Sequence, residues 1–191
     1  MQQMLKASVA VIAALLPSLA AAAAQGSYGI GRTATRAEIA GWNIDIGPDG
    51  RGLPPGSGSV SHGRDVFAQQ CAACHGERGE GGVGDRLVGG QGTLATSNPV
   101  RTVGSYWPFA TTLFDYIRRA MPQNAPGSLS NDDVYAVSAY ILNLNHLVAD
   151  DATLDARSLP GIKMPNRKMF VGDSRPDVKN RECMTGCQGG M

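Results

Sequence analysis

Cys71-Ala72-Ala73-Cys74-His75 is the stretch whose reading decides the rest of the chain. C-x-x-C-H is the attachment pattern of a c-type haem. On a helix, two thiols three residues apart lie on one face, where each can add to a porphyrin vinyl group. The residue that follows turns its imidazole toward the iron. His75 is therefore the candidate proximal ligand, and one covalent haem c is expected, because the pentapeptide pattern occurs once. Two other uses of C-x-x-C fit less well. A thioredoxin-like redox pair wants a βαβ setting, which the surrounding sequence lacks. A zinc site needs a second ligand pair, and Cys183 with Cys187 is the pair on offer, far down the chain in a tail.

Working outward toward the N-terminus, Lys6 precedes an apolar run, Pro17-Ser18-Leu19 interrupts it, and five alanines end at Ala24. Residues 1–24 read as a secretory signal peptide cut after Ala24. A membrane anchor would need a longer unbroken run than one stopped at Pro17 and followed by glycine-rich polar sequence. An exported, periplasmic protein with no membrane span after cleavage is the expectation. Cleavage removes Lys6 alone and leaves 16 Lys and Arg against 16 Asp and Glu. That balance argues against a nucleic-acid surface and against the basic face that steers a diffusing carrier to acidic partners. It suits a partner held by contact area.

Residues 25–191 allow one core of ordinary size, to which a covalent haem adds a large apolar body. Residues 25–60, punctuated by Pro48-Asp49-Gly50 and Pro54-Pro55-Gly56, read as an extended arm with at most a short helix at 36–40. Within it Trp42, Ile44 and Ile46 alternate in a pattern able to make strand-like contacts. Ser61 is placed to cap a helix that carries Gly63, Val66, Phe67 and Gln70 into the haem motif, with Phe67 facing the core. The glycines of 76–84 let backbone pass close to a flat cofactor edge, with Leu87, Val88 and Leu94 packing nearby.

Pro108 suits the first position of a second helix, in which Phe109, Leu113, Phe114, Ile117 and Ala120 recur at helical spacing. That helix must stop at Met121, because Pro122 disfavours the helical conformation in the residue before it. Ser130-Asn131-Asp132-Asp133 reads as a capping box opening a third helix. Its apolar stripe is Val134, Val137, Ile141, Leu144 and Val148, with Tyr140 beside it. The fold class is thus all-α, a small helical haem domain at 61–147 between the arm 25–60 and a second irregular extension, 148–191. A short helix at 153–157 is expected in that extension.

The iron needs a sixth ligand or an open site. Met121, Met164, Met169, Met184, His146 and His62 are the candidates. Met121 stands apart by context. It lies between two helices on a non-helical pre-proline residue, late enough in the chain to fold over the opposite haem face. Met164 also precedes a proline, but lies beyond the last core helix.

The order helix, C-x-x-C-H, glycine-rich loop, helix, Met-Pro and capped C-terminal helix resembles class I cytochrome c over 61–147. In that family an N-terminal helix with Gly and Phe four apart crosses the C-terminal helix at an aromatic, and Gly63, Phe67 and Tyr140 match. The strings from Gly104-Ser105-Tyr106-Trp107 to Met121-Pro122, and from Leu159-Pro160-Gly161 to Met164-Pro165-Asn166-Arg167, are similar to the SoxD-like cytochrome subunit of sulfane or sulfite dehydrogenases. The resemblance implies a subunit that catalyses nothing alone. It would accept electrons from a molybdenum-cofactor dehydrogenase subunit and pass them to a downstream cytochrome or terminal oxidase. Some relatives carry two haems, whereas this chain has one attachment motif. A general diffusible carrier, an open-site haem enzyme or sensor, and a zinc-structured binding module are the alternatives, and a visible spectrum separates the haem states from the last.

With Cys71 and Cys74 assigned to haem, Cys183 and Cys187 are expected to form a local disulfide, since exported thiols tend to be oxidised and the short separation can close a small ring. Thiol titration of the denatured, unreduced protein checks this: no reactive thiol from this pair is expected, and two would refute the bridge.

Overall fold

A computed structural model of the chain describes residues 31–172. The signal segment, Met184, Cys183 and Cys187 lie outside the described residues. The chain divides into two units between Asn43 and Ile44. In the first, helix α1 (Arg36–Trp42) is set by a reciprocal cap: the Glu38 N–H donates to the Thr35 hydroxyl, and the Thr35 N–H donates to the Glu38 carboxylate at 2.8 Å. Arg32 grips the same carboxylate and holds it well below the usual range, at about 2. The helix buries none of its own residues.

The second unit is built on a crossing of two helices. Strand β1 (Ser57–Ser59) runs straight into α2 (Val60–Gln70), and α3 (Ala72–His75) follows as a single turn. Because the strand feeds the helix directly, the cap falls to Ser59, which accepts from the His62 N–H at 3.1 Å; the expected cap, Ser61, sits inside the first turn. Helix α4 (Ala110–Ala120) starts after an extended Phe109 rather than at Pro108, and it stops where expected, with Met121 extended at φ −121°, ψ 147°. Helix α5 (Asn131–Leu144) is capped by Ser130, whose hydroxyl accepts from the Asp133 N–H at 3.1 Å.

Nine consecutive residues of α5, Val134 to Leu142, are buried, so the helix is wrapped on all sides. One wall is α2. Phe67 meets Tyr140 edge-on with ring centroids 5.3 Å apart. At Gly63 the backbones come so close that a Cβ would collide with the Ala136 carbonyl and stand 2.9 Å from the Tyr140 Cβ. A second wall is α4, where Phe114 stacks at a tilt on Tyr135, centroids 4.4 Å apart. The two helix N-termini are also tied by His62 Nε2 and Asp133 at 2.7 Å.

The third wall comes from segments outside 61–147. Strand β2 (Thr153–Asp155) pairs antiparallel with β1, Ser57 opposite Asp155 and Ser59 opposite Thr153, where a helix at 153–157 was expected. The strand is not carried by the Trp42-Ile44-Ile46 alternation either. Its site is Ser57-Gly58-Ser59, because the ribbon lies on α5 and any Cβ at Gly58 would strike the Ala136 backbone. Leu154, Leu159 in a short 3₁₀ turn (Leu159–Gly161), and Met164 are buried in the common core, against which Ile46 and Leu53 also pack. The Tyr135 phenol donates to the Pro54 carbonyl at 2.8 Å, and burial pushes its pKa up to about 12, so it stays a donor. Much of what reads as irregular extension is therefore core cover, since a helix buried on every side needs more wall than two partners supply.

Gly63→Ala is expected to cost about 3 kcal/mol, because the added methyl must push two backbones apart. Gly161→Ala, whose methyl would meet nothing within 4 Å, should leave stability unchanged. Denaturant titration of both variants checks the difference.

Candidate functional site

The site hangs from the end of α2. The Cys71 N–H closes the last turn of that helix on the Phe67 carbonyl at 2.9 Å. The Cys71 carbonyl then accepts from the N–H groups of Cys74 and His75, so the pentapeptide is wound as one further turn. Cys71 is half-buried and Cys74 exposed, and both are free thiols. Burial, with Cys74 second, pushes the Cys71 thiol up to about 11, which keeps it protonated. Gly76 ends the turn at φ +82°, a conformation that favours glycine.

The loop 77–91 folds back over this turn. The Gly81 N–H donates to the His75 carbonyl at 2.7 Å, and the Gly84 N–H to the Cys74 carbonyl at 2.8 Å. The His75 ring is gripped as well. Its Nδ1 lies 2.7 Å from the backbone oxygen of Asp85. A carbonyl only accepts, so Nδ1 carries the proton and Nε2 keeps its lone pair for a metal. A Cβ at Gly84 would stand 2.9 Å from the imidazole Cε1, so this glycine is a cradle for the ring.

Behind the loop stands Asn145, buried at the C-cap of α5, with all four of its amide hydrogen-bonding positions filled. Its Nδ2 donates to the carbonyls of Leu87 (3.1 Å) and Ile141 (2.9 Å), and its Oδ1 accepts from the Gly89 N–H (3.2 Å) and Gln91 Nε2 (3.4 Å).

The ligand candidates separate by surroundings. Met121 is half-buried against the core at the break after α4. Met164 is 3% exposed and packed within the core, whereas Met169 is 72% exposed. His62 is engaged by Asp133, and His146 is exposed just beyond α5 with φ 61°. Among the described residues no cluster of three His, Cys, Asp or Glu side chains could hold a metal ion by itself. Two unbridged thiols one turn apart, an imidazole with a free Nε2 and a glycine cradle around the ring fit a haem, with Cys71, Cys74 and His75 as its holders.

A belt of aromatics also belongs to this unit. Trp107 meets Tyr116 edge-on at 5.6 Å, and Tyr106 meets Phe170 at 5.4 Å. The Arg101 guanidinium lies over Tyr106, and that of Arg167 lies over Phe109 at 5.3 Å. Asn166 Nδ2 donates to the Tyr106 carbonyl at 2.5 Å, so the segment after α5 is pinned to the loop before α4. The roles of Asp85 and Asn145 are absent from the sequence reading. The first acts through its backbone and carries no side-chain signal; an asparagine beside Leu144, where an apolar stripe is interrupted before Val148, was the available cue for the second.

Residues 58–141 match the family model described as cytochrome C oxidase, cbb3-type, subunit III. The chain is similar to a chain in the crystal structure of the sulfane dehydrogenase SoxCD from Paracoccus pantotrophus, with 42% identity, a TM-score of 0.73, and 86% of this chain and 84% of that one covered. It is also similar to the thiosulfate dehydrogenase of Stutzerimonas stutzeri (strain A1501), 30% identical over 90 residues, which are 46% of this chain and 28% of that protein. The chain thus spans under a third of the length of that curated relative.

Proposed function

This chain belongs to the class I c-type cytochromes and resembles the SoxD-like cytochrome subunit of sulfane dehydrogenase, and from that premise we propose that it is a periplasmic electron-transfer subunit. In this reading it holds one covalent haem c, takes electrons from a molybdenum-cofactor dehydrogenase subunit oxidising sulfite or sulfane sulfur, and yields them to a downstream cytochrome or terminal oxidase. It catalyses nothing alone. The observation that carries the reading is the extent of the likeness to the SoxCD chain: 86% of this chain, reaching well beyond the stretch 58–141 into its flanking segments.

Haem c, when bound, supplies one-electron exchange between ferric and ferrous iron. The Cys71 and Cys74 thiols, one turn apart and unbridged, would hold it covalently. His75 offers Nε2 to the iron while its Nδ1–H is spent on Asp85. Met121 would offer a thioether as the second ligand, one that favours the ferrous state and so a positive potential. Its extended backbone, fixed by Pro122, holds it clear of the helix it follows. Met164 serves as core filler.

Helix α1 is assigned to the partner. A seven-residue helix is too short to persist on its own propensity, yet its caps are complete and its Ile39 and Trp42 are 54% and 87% exposed. Large apolar groups displayed on a preset helix are docking groups. Ile46, Leu53 and Val60 are taken up by the core, which leaves the sequence before Ile44 for a partner, together with the exposed Met169, Phe170 and Val171.

Met121→Ala is expected to abolish the sulfur-to-iron band at the red edge of the ferric spectrum and to lower the midpoint potential. Met164→Ala should keep the band and cost about 2–5 kcal/mol of stability. The reverse pattern moves the ligand role to Met164. Separately, Ile39→Ala with Trp42→Ala should weaken association with the dehydrogenase subunit by about 30-fold, roughly 2 kcal/mol, with the haem spectrum untouched. An unchanged Kd, measured by calorimetry on the purified subunits, would remove α1 from the interface.

A further inference from the structure

We infer that Asn145 is the positioning residue that aims the iron-binding imidazole, acting through the loop segment 85–91 rather than by touching haem or ligand. The inference rests on the reading of His75 as the proximal ligand. The Asp85 carbonyl that accepts from His75 Nδ1 belongs to an irregular, glycine-rich loop, with no ladder of its own to hold it in place. Two residues later the chain is fixed on both sides. The Leu87 N–H donates to the Gly79 carbonyl at 2.8 Å, and the Leu87 carbonyl accepts from Asn145 Nδ2 at 3.1 Å. Gly89 is held likewise: its N–H donates to Asn145 Oδ1, and its carbonyl accepts from the Thr102 hydroxyl at 2.6 Å.

Asn145 is thus the rigid end of a short chain of bonds running from α5 through Leu87 to Asp85 and the imidazole. Its own orientation is not free. Two N–H donors face its oxygen and two carbonyls face its nitrogen, so the amide has one way to sit. The fixed α5 backbone supplies the fourth contact, at Ile141. A buried, fully satisfied network of this kind specifies one geometry, and breaking one member leaves the others unpaired.

The consequence is electronic as well as structural. A short Nδ1–H···O bond makes the imidazole a stronger donor through Nε2 and so favours ferric iron. Slackening the loop weakens that bond, and the midpoint potential rises. Asn143 provides the comparison. It lies near the same end of α5 and donates to the Val148 carbonyl (3.1 Å) and to Asp150 (2.8 Å), but it has no bond to the loop.

The test is spectroelectrochemical titration of the holoprotein with Asn145→Leu, which removes the amide's donated and accepted bonds without adding a charge that would itself shift the potential. Gly104→Ala is the second variant, because its methyl would displace Asn145 Oδ1, and with it the Gln91 amide that bonds there, without changing the chemistry of either side chain. Asn143→Ala is the control. A low-spin haem spectrum in the wild type that is lost in His75→Ala secures the ligand reading independently. Given that, both test variants should keep the low-spin spectrum, raise the potential and speed exchange of the His75 Nδ1 proton in NMR spectra, while Asn143→Ala lowers stability alone. A potential that stays or falls in the test variants, or that rises equally in Asn143→Ala, overturns the positioning role.

Discussion

The tight approach of two helices, where Gly63 of α2 passes the Ala136 carbonyl of α5, is the constraint from which the site's geometry follows. At this distance no side chain can separate the helices, so the direction of α2 is set by α5 and not by its own modest apolar face. Phe67 locks the rotation by lying edge-on against Tyr140 one turn further along. Cys71 is the C-cap of α2, so the direction of the helix becomes the direction of the thiol-bearing turn. A site whose chemistry needs two thiols and an imidazole in fixed relation is thereby referred to a close-packed helix crossing. The same helix α5 reaches the site a second time from its other end, through Asn145 and the loop it holds. One element therefore fixes both the turn that carries the imidazole and the loop that orients it.

The helical frame was legible because its signals are local. Ser130 announces α5, and Pro122 ends α4 with Met121 extended. Cys71, Cys74 and His75 fall on one turn as their spacing requires. What escaped is non-local. Ser59 displaced Ser61 as cap because a strand arrives there, and that strand exists only because residues 153–155 come back to pair with it. Three-residue strands reading Ser-Gly-Ser and Thr-Leu-Asp carry no usable alternation. In the same way Leu154, Leu159 and Met164 are buried one at a time, among glycines and prolines, so their shared destination left no periodic mark. The Asp85 carbonyl is beyond sequence reading altogether, since every residue offers one.

The aromatic belt shows how the irregular segments are held without secondary structure. Asn166, Phe170 and Arg167 bind backbone, ring edge and ring face of the 106–109 loop in turn. Each contact is worth little, about 1 kcal/mol, but they are close together in sequence and share one ordering cost. That is a sufficient reason for a Pro- and Gly-rich segment to keep a defined course along the domain.

The β1–β2 ribbon joins the residues just before α2 to residues almost a hundred positions later, and synthesis of a chain proceeds from its N-terminus. Cys71, Cys74 and His75 are therefore made well before α5, the wall against which α2 is aligned, and before strand β2, which pins the entry to α2. During that interval the pentapeptide lacks the walls that later surround it and is approachable from more sides. Arrival of residues 131–155 closes the interval. The late closing strand thus acts as a timer, setting an accessible turn first and the walls that fix it afterwards.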